Sequence, residues 1–138
     1  MAGTVAFFFF FLFFIDMNKI IYICHPVSAD VKGNMDKIVQ IAREINLSEP
    51  NICPIAPYVL ELMALDDKKL SERNRGVRNG IYLFERGFFD EVWLYGDHIS
   101  KGMRYEIMVA NEKGIPVVPK SDGMKRIFLE SLASKMAA

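Results

Sequence analysis

Four short apolar runs, separated by stretches with helical periodicity, constrain the fold of this chain more than any other feature. The runs begin at Lys19, Ile52, Val92 and Ile115 and read KIIYIC, ICPIA, VWLY and IPVV. Compact runs of β-branched and aromatic residues are typical of strands that are buried on both faces. The resulting order, β-α-β-α-α-β-α-β-α, predicts a single α/β domain of the doubly wound, flavodoxin- or Rossmann-like kind. We expect a parallel sheet of four to five strands with helices on both faces.

Length and charge narrow the class of protein further. The 138 residues fit one domain, and 17 basic residues balance 17 acidic ones, so no nucleic-acid partner is predicted. Cys24 and Cys53 are too few for a disulfide framework and lack metal-ligand spacing, which favours reduced thiols in a cytoplasmic protein with no metal. No glycine fingerprint follows the first apolar run, so the sequence argues against NAD and ATP and predicts no cofactor.

The N-terminal stretch has an unusual composition. Residues 5–15 read VAFFFFFLFFI and contain seven of the eleven Phe residues. This run falls short of the ~20 residues that span a bilayer, and it lacks the flanks of a secretory signal. We interpret residues 1–16 as a non-native-looking extension outside the fold, with the domain over residues 17–138. A weak membrane-surface anchor and a self-association segment are the alternatives, although a membrane partner is not expected.

The stretch from Asp90 to Ala110 predicts a strand, a polar loop and a helix. Ser100 is a suitable N-cap, and the free N–H groups of a helix N-terminus attract anions such as phosphate. Glu106 follows Gly102 by four positions, so both residues share a helix face. Because Gly102 has no side chain, a ligand could approach the backbone beside the carboxylate. Spacing alone leaves Glu106 open as a nucleophile or base, or as a solvated helix residue.

Other candidate ligand-binding residues follow the strands or lie on a long predicted helix. The carboxyl ends of parallel strands meet at one edge of a sheet. We therefore expect three segments to lie together there: the stretch from Tyr22 to Asn34, where a helix is predicted to begin, Pro57-Tyr58, and the stretch from Asp97 to Glu106. The long helix carries Gly76 and Gly80 on one face, which indicates close packing or a close ligand. It also carries an arginine cluster that is either a phosphate site or a solvated face: Arg73, Arg75 and Arg78.

Two stretches together resemble a known family. The first is KIIYICHPVS, which contains Tyr22, and the second is S-x-G-x-x-x-E at Ser100, Gly102 and Glu106. They are similar to the nucleoside 2-deoxyribosyltransferase family, which includes the deoxyribonucleoside 5′-monophosphate N-glycosidases. The similarity is greatest to an uncharacterised, often phage-encoded branch with His-Pro after the first strand. It covers nearly all of residues 19–119.

The resemblance implies a small-molecule nucleotide ligand, a homo-oligomer and a set of site residues. Glu106 resembles the nucleophile that attacks C1′ of the sugar, and Tyr22 resembles the tyrosine that positions it. His25 is open as a general acid or as a packing residue at the strand exit. The residues expected to bind substrate or phosphate are Ser28, Asn34, Arg78, Asn79, Asp97, Ser100 and Gly102.

One departure from the family pattern keeps two functions open. The family usually carries an aspartate at the start of the helix before the third strand, where it helps to protonate the leaving base. Residues 75–82 contain no carboxylate. The chain could therefore cleave or transfer at the N-glycosidic bond of a (deoxy)nucleoside 5′-monophosphate. The alternative is a binding protein that senses or sequesters a nucleotide without turnover.

Overall fold

Strands and helices alternate along the chain as predicted. The computed structural model describes residues 18–137, and the Phe-rich extension over residues 1–16 lies outside the described residues. Within residues 18–137 the elements are β1 (Lys19–Cys24), α1 (Val31–Ser48), β2 (Ile52–Ile55), α2 (Pro57–Ala64), α3 (Leu70–Glu85), β3 (Glu91–Leu94), α4 (Lys101–Glu112), β4 (Val117–Pro119) and α5 (Asp122–Ala137).

The four strands form one all-parallel sheet in the order β2-β1-β3-β4. Each neighbouring pair is parallel, with Tyr22 of β1 opposite Ile55 of β2 on one side and Val92 of β3 on the other. Pro54 lies in the edge strand β2, where a residue without an N–H group is tolerated. The predicted parallel α/β domain is confirmed. Strand order reverses direction between β1 and β3, and ligands of such sheets bind at that switch point.

Successive residues of β1 supply two separate hydrophobic cores. On one face, Ile21 and Ile23 pack with Ile38 and Ile45 of α1. On the other face, Tyr22 and Cys24 belong to a larger cluster that includes residues of α3 and α4: Phe84, Met103 and Ile107. Helices therefore cover both faces of the sheet, and the polar side chains of the buried part of β1, Tyr22 and Cys24, lie on the α3–α4 side.

The ends of two helices show how glycine defines the boundaries. Gly87 follows α3 and Gly114 follows α4, and both adopt positive φ angles, 65° and 69°. This left-handed conformation stops a helix at low cost only when no Cβ is present. Among residues 18–137, no helix combines the length and the apolar composition that crossing a membrane requires.

Candidate functional site

A cavity of about 750 Å³ opens at the switch point of the sheet. Its walls come from the loop after β1, the facing sides of α2 and α3, and the first turns of α4. Six of the predicted site residues line it: Tyr22, His25, Ser28, Ser100, Gly102 and Glu106. The structure thus brings together side chains that lie up to 84 positions apart in the sequence, as in the contact between Tyr22 and Glu106.

Glu106 lies in this cavity with both carboxylate oxygens hydrogen-bonded. The hydroxyl of Tyr22 donates to Oε1 at 2.7 Å, and the thiol of Cys24 donates to Oε2 at 3.1 Å. Both donors come from one face of β1, two residues apart, so the period of the strand places them side by side. Glu106 itself is only half-buried, which leaves the carboxylate accessible from the cavity. Glu106 therefore lines the cavity with its carboxylate fixed by two hydrogen bonds, and it is not a solvated residue on the helix surface.

The protonation states of these three groups are coupled. Burial raises the pKa of Glu106, and the hydrogen bonds from Tyr22 and Cys24 oppose that rise. Burial first, and then the charge of Glu106, raises the pKa values of the Tyr22 hydroxyl and the Cys24 thiol well above their usual range. Both groups consequently stay protonated at neutral pH and remain donors. The negative charge of the trio resides on Glu106.

Aromatic packing fixes the position of the Tyr22 ring. Its centroid lies 5.6 Å from that of Tyr58 and 5.0 Å from those of Phe84 and Phe89, all in tilted or edge-on geometry. Such tilted arrangements are favoured over face-to-face stacks. Tyr58 is held in turn, because its hydroxyl donates to the carbonyl of Ile23 at 2.6 Å. The hydroxyl that orients Glu106 is therefore pre-positioned by the core.

The N-terminus of α4 provides an end of the cavity suited to an anion. The hydroxyl of Ser100 accepts a hydrogen bond from the N–H of Met103 at 3.2 Å, which confirms the predicted N-cap. Lys101 and Gly102 line the cavity at the start of the helix, where backbone N–H groups precede the helical hydrogen-bond pattern. Ser28, from the loop after β1, adds a hydroxyl to the same cavity.

Gly96 brings the loops after β1 and β3 together. Its φ angle is 98°, and a Cβ built there would lie only 2.6 Å from Cδ of Pro26. Any other residue would therefore combine backbone strain with a steric clash. The close approach places the loop that leads to Ser100 against the His25-Pro26 exit of β1.

His25 lines the cavity in a state that does not favour proton donation. Its Nδ1 lies 2.6 Å from the carbonyl oxygen of Pro26, so this nitrogen carries the hydrogen and donates it. Burial, the largest influence, lowers the pKa of the ring. The neutral form consequently dominates at neutral pH, with Nε2 as an acceptor. A general-acid role for His25 gains no support from this geometry.

Four predicted binding residues do not line the cavity. Asn34 donates from Nδ2 to the carbonyl of Val27 at 3.1 Å and so braces the loop that carries Ser28. Asp97 is exposed, and one of its carboxylate oxygens lies 2.7 Å from Nδ1 of His98. Arg78 is exposed on α3. Asn79 donates from Nδ2 to Oε1 of Glu61 at 2.9 Å, which connects α3 to a carboxylate that does line the cavity.

Sequence reasoning missed several cavity residues of α2 and α3. The lining face of α3 follows helical spacing through Arg73, Gly76, Val77, Gly80, Ile81 and Phe84. Gly76 and Gly80 lie on this face of the helix. Arg73 is three positions before Gly76 and shares that face, so helical spacing favours Arg73 over Arg75 and Arg78 as a cavity residue. The carboxylates of Glu61, Asp67 and Glu72 also line the cavity. Within residues 18–137, no group of three or more such side chains is arranged to hold a metal ion.

Fold and site together define a parallel α/β domain with a hydrogen-bonded carboxylate at the switch point of its sheet. The chain belongs to the DUF7768 family, described as a domain of unknown function, whose model matches residues 19–120. The match contains all four strands and every cavity residue, and it ends before α5. A comparison with curated proteins finds no match, and a comparison with solved structures finds none either.

Proposed function

We propose that this protein binds a (deoxy)nucleoside 5′-monophosphate in the cavity and cleaves or transfers at its N-glycosidic bond. The observation that carries the proposal is the Glu106 carboxylate, which is open to the cavity and held by Tyr22 and Cys24. Its support from the sequence is the resemblance of Tyr22, Ser100 and Glu106 to the corresponding residues of the nucleoside 2-deoxyribosyltransferase family.

In the proposed reaction Glu106 is the nucleophile. One carboxylate oxygen forms a bond to C1′ of the sugar as the C1′–N bond breaks, and the bonding electron pair leaves with the base. The leaving nitrogen takes a proton from solvent, or the base is protonated by solvent at another ring nitrogen beforehand and leaves as a neutral molecule. Water, or a second base, then attacks C1′ and releases the carboxylate. Tyr22 and Cys24 hold the carboxylate in place and stay protonated throughout.

The anion end of the cavity supports a phosphorylated ligand. Ser100 caps α4, while Lys101 and Gly102 line the cavity beside the unpaired first-turn N–H groups. A helix N-terminus binds phosphate through N–H groups and the helix dipole, and Lys101 adds a full positive charge. Because Glu106 is one turn further along the same helix, it lies close to a sugar whose 5′-phosphate occupies this end.

The test is release of free base from the four deoxynucleoside 5′-monophosphates, followed by chromatography. We expect the protein to release at least one base, and Glu106→Gln to reduce the rate by a factor of about 10³ or more, since the attacking group is gone. Glu112→Gln is the matched control, because Glu112 lies on the same helix α4, is exposed and does not line the cavity. No release above the Glu106→Gln background would refute the enzyme.

A second candidate is a nucleotide-binding protein without turnover. Two observations favour it: residues 75–82 contain no carboxylate, and burial lowers the pKa of His25, so neither provides a ready acid for the leaving base. Isothermal titration with the same nucleotides separates the two candidates. Binding by wild type and Glu106→Gln alike, with no base released, supports the binding protein.

We also infer that copies of the chain associate. Large apolar side chains are exposed on α3 and α4, among them Val77, Tyr82, Tyr105 and Met108, and two of these, Val77 and Tyr105, also line the cavity. Exposed apolar groups near a site are a common feature of protein interfaces. Light scattering after size exclusion tests this, and a monomer at all concentrations contradicts it.

A further inference from the structure

The wall of the cavity formed by α3 contains a stretch of bare backbone. Gly76 and Gly80 both line the cavity one turn apart. A Cβ built on Gly80 would find no atom within 4 Å, and one built on Gly76 would make ordinary contacts with Cβ of Glu61 at 3.5 Å and Cδ1 of Leu65 at 3.7 Å. Close helix packing therefore does not account for Gly80. Two glycines in a helix interior each cost about 1 kcal/mol relative to alanine, a cost that a flat surface for a ligand explains.

Glu61 lies beside this flat surface, on the facing helix α2. Its Oε1 accepts a hydrogen bond from Nδ2 of Asn79 at 2.9 Å, and the residue is half-buried at the cavity wall. Within residues 18–137, Oε2 of Glu61 makes no hydrogen bond and no ion pair. Asn79 thus fixes the orientation of the Glu61 carboxylate through Oε1, and Oε2 remains available as an acceptor for a ligand.

The remaining carboxylates of this wall are already engaged or exposed. Glu72 accepts from the N–H of Asp66 at 2.7 Å and pairs with Lys69 at 3.2 Å. Asp67 is exposed and lies 3.7 Å from the guanidinium of Arg73. Glu61 is consequently the carboxylate of the α2–α3 wall that is best placed to meet a ligand.

We propose that the Gly76–Gly80 surface holds the planar base of the nucleotide and that Glu61 selects bases with an exocyclic amino group. The inference rests on the proposed function, in which the opposite, α4 end of the cavity holds the phosphate. An ionised carboxylate only accepts hydrogen bonds. An exocyclic amino group donates a hydrogen bond to the Glu61 carboxylate. A carbonyl oxygen at the same position is itself an acceptor, so it cannot form that bond.

The test compares ligands that differ by this one group. Deoxyadenosine and deoxyinosine monophosphates form one pair, and deoxycytidine and deoxyuridine monophosphates form the other. Calorimetry with the Glu106→Gln protein measures affinity without turnover. We expect the amino-bearing member of at least one pair to bind about tenfold or more tightly, since leaving a polar partner unpaired costs at least ~1 kcal/mol. Glu61→Gln, which can donate as well as accept, brings that ratio close to one.

Matched variants separate selection by Glu61 from a general loss of structure. Glu85→Gln changes an exposed carboxylate of α3 outside the cavity and leaves the ratio unchanged. Gly80→Ala adds a Cβ to the Gly76–Gly80 surface and weakens nucleotide binding. Gly80→Leu fills the Gly76–Gly80 surface with a side chain. We expect this variant to lose nucleotide binding and to retain binding of deoxyribose 5-phosphate, which has no base. That pattern also shows that the Leu variant is folded.

The outcomes distinguish this inference from the proposed function. If neither nucleotides nor deoxyribose 5-phosphate bind, the proposed function fails and this inference fails with it. If nucleotides bind but both members of each pair do so equally, or Glu61→Gln leaves the ratio as in the parent, the inference about Glu61 alone is overturned. If Gly80→Leu binds nucleotides as well as the parent protein does, the base does not lie on the Gly76–Gly80 surface.

Discussion

The two faces of strand β1 have very different chemistry although they alternate residue by residue. Toward α1 the strand presents Ile21 and Ile23, which pack in a hydrophobic cluster with residues such as Ile38. Toward α3 and α4 it presents Tyr22 and Cys24, whose polar atoms both donate to Glu106. Within residues 21–24, one face therefore contributes apolar packing, and the other holds the Glu106 carboxylate in place at the cavity wall.

This difference shows how a short strand can support stability and a site at once. Ile21 and Ile23 are fully buried, and so is Cys24, which keeps its thiol away from solvent while it holds Glu106. Apolar side chains can be exchanged for others of similar volume at modest cost, whereas a hydrogen-bond donor to a half-buried carboxylate has few substitutes. Changes on the α1 face should therefore affect folding, and changes on the other face should affect the site.

The largest expected effect is a loss of stability from Ile23→Ala. Ile23 is fully buried against the α1 side, so truncation removes apolar contacts and leaves a cavity. We expect the free energy of unfolding in urea to fall by about 2–5 kcal/mol. Ile23→Val is the matched control, with an expected loss of about 0.5–1.5 kcal/mol. Equal losses for the two variants would mean that the α1 face is not a close-packed core.

A smaller change in stability but a distinct change in ionisation is expected from Tyr22→Phe. The ring and its aromatic contacts remain, so the free energy of unfolding should fall by only about 1–2 kcal/mol. Loss of the hydroxyl removes a bond that lowers the pKa of Glu106, so that pKa rises further above its ordinary value. The acid limb of the pH profile for base release, or for nucleotide binding, should therefore move to higher pH.

Tyr58→Phe is the control for that experiment. The Tyr58 hydroxyl donates to the carbonyl of Ile23 and not to Glu106, so its loss costs stability without removing a bond to the carboxylate. We expect the pH profile to stay close to that of the wild type. A shift as large as that of Tyr22→Phe would show that general loosening of the core, and not the hydrogen bond to Glu106, sets the ionisation.

The smallest expected effect is a pH-dependent gain in stability from Glu106→Gln. A carboxyl group whose folded pKa is raised stabilises the fold fully below its unfolded pKa, and that contribution is lost as pH rises through the folded pKa. The amide does not titrate. The variant should match the wild type in acid and be more stable than the wild type at neutral pH, by a small margin because the hydrogen bonds from Tyr22 and Cys24 oppose the effect of burial. Thermal unfolding at both pH values measures the difference, and a variant less stable at neutral pH contradicts it.

Much of the fold could be predicted from local sequence. The run KIIYIC fixed the position of β1, and Ser100 fixed the start of α4, because strand burial and helix capping depend on neighbouring residues. The helix that was expected from Asn34 begins at Val31 instead, since the side chain of Asp30 caps it by accepting from the N–H of Gly33. That cap was readable from the sequence as well.

The site could be predicted only in part. The residues that line the cavity from β1 and α4 follow strand ends and a helix N-terminus, which all parallel sheets place at one edge. The contribution of α2 and α3 depends on how the two helices pack, as in the contact of Asn79 with Glu61 across 18 positions. No local pattern specifies that contact. The sequence predicts a reduced thiol at Cys24, but the hydrogen bond of that thiol to Glu106 depends on the position of α4 over the sheet.

The central claim is that Glu106 is a nucleophile in a pre-organised cavity, and its most direct test is capture of the covalent intermediate. Wild-type protein is mixed with a deoxynucleoside 5′-monophosphate that it cleaves, quenched in acid within the first turnover and analysed by intact-mass and peptide mass spectrometry. We predict an added mass of one deoxyribose 5-phosphate unit on the peptide that contains Glu106, and none on Glu106→Gln. Base release without any adduct, or an adduct on another residue, would contradict the assignment.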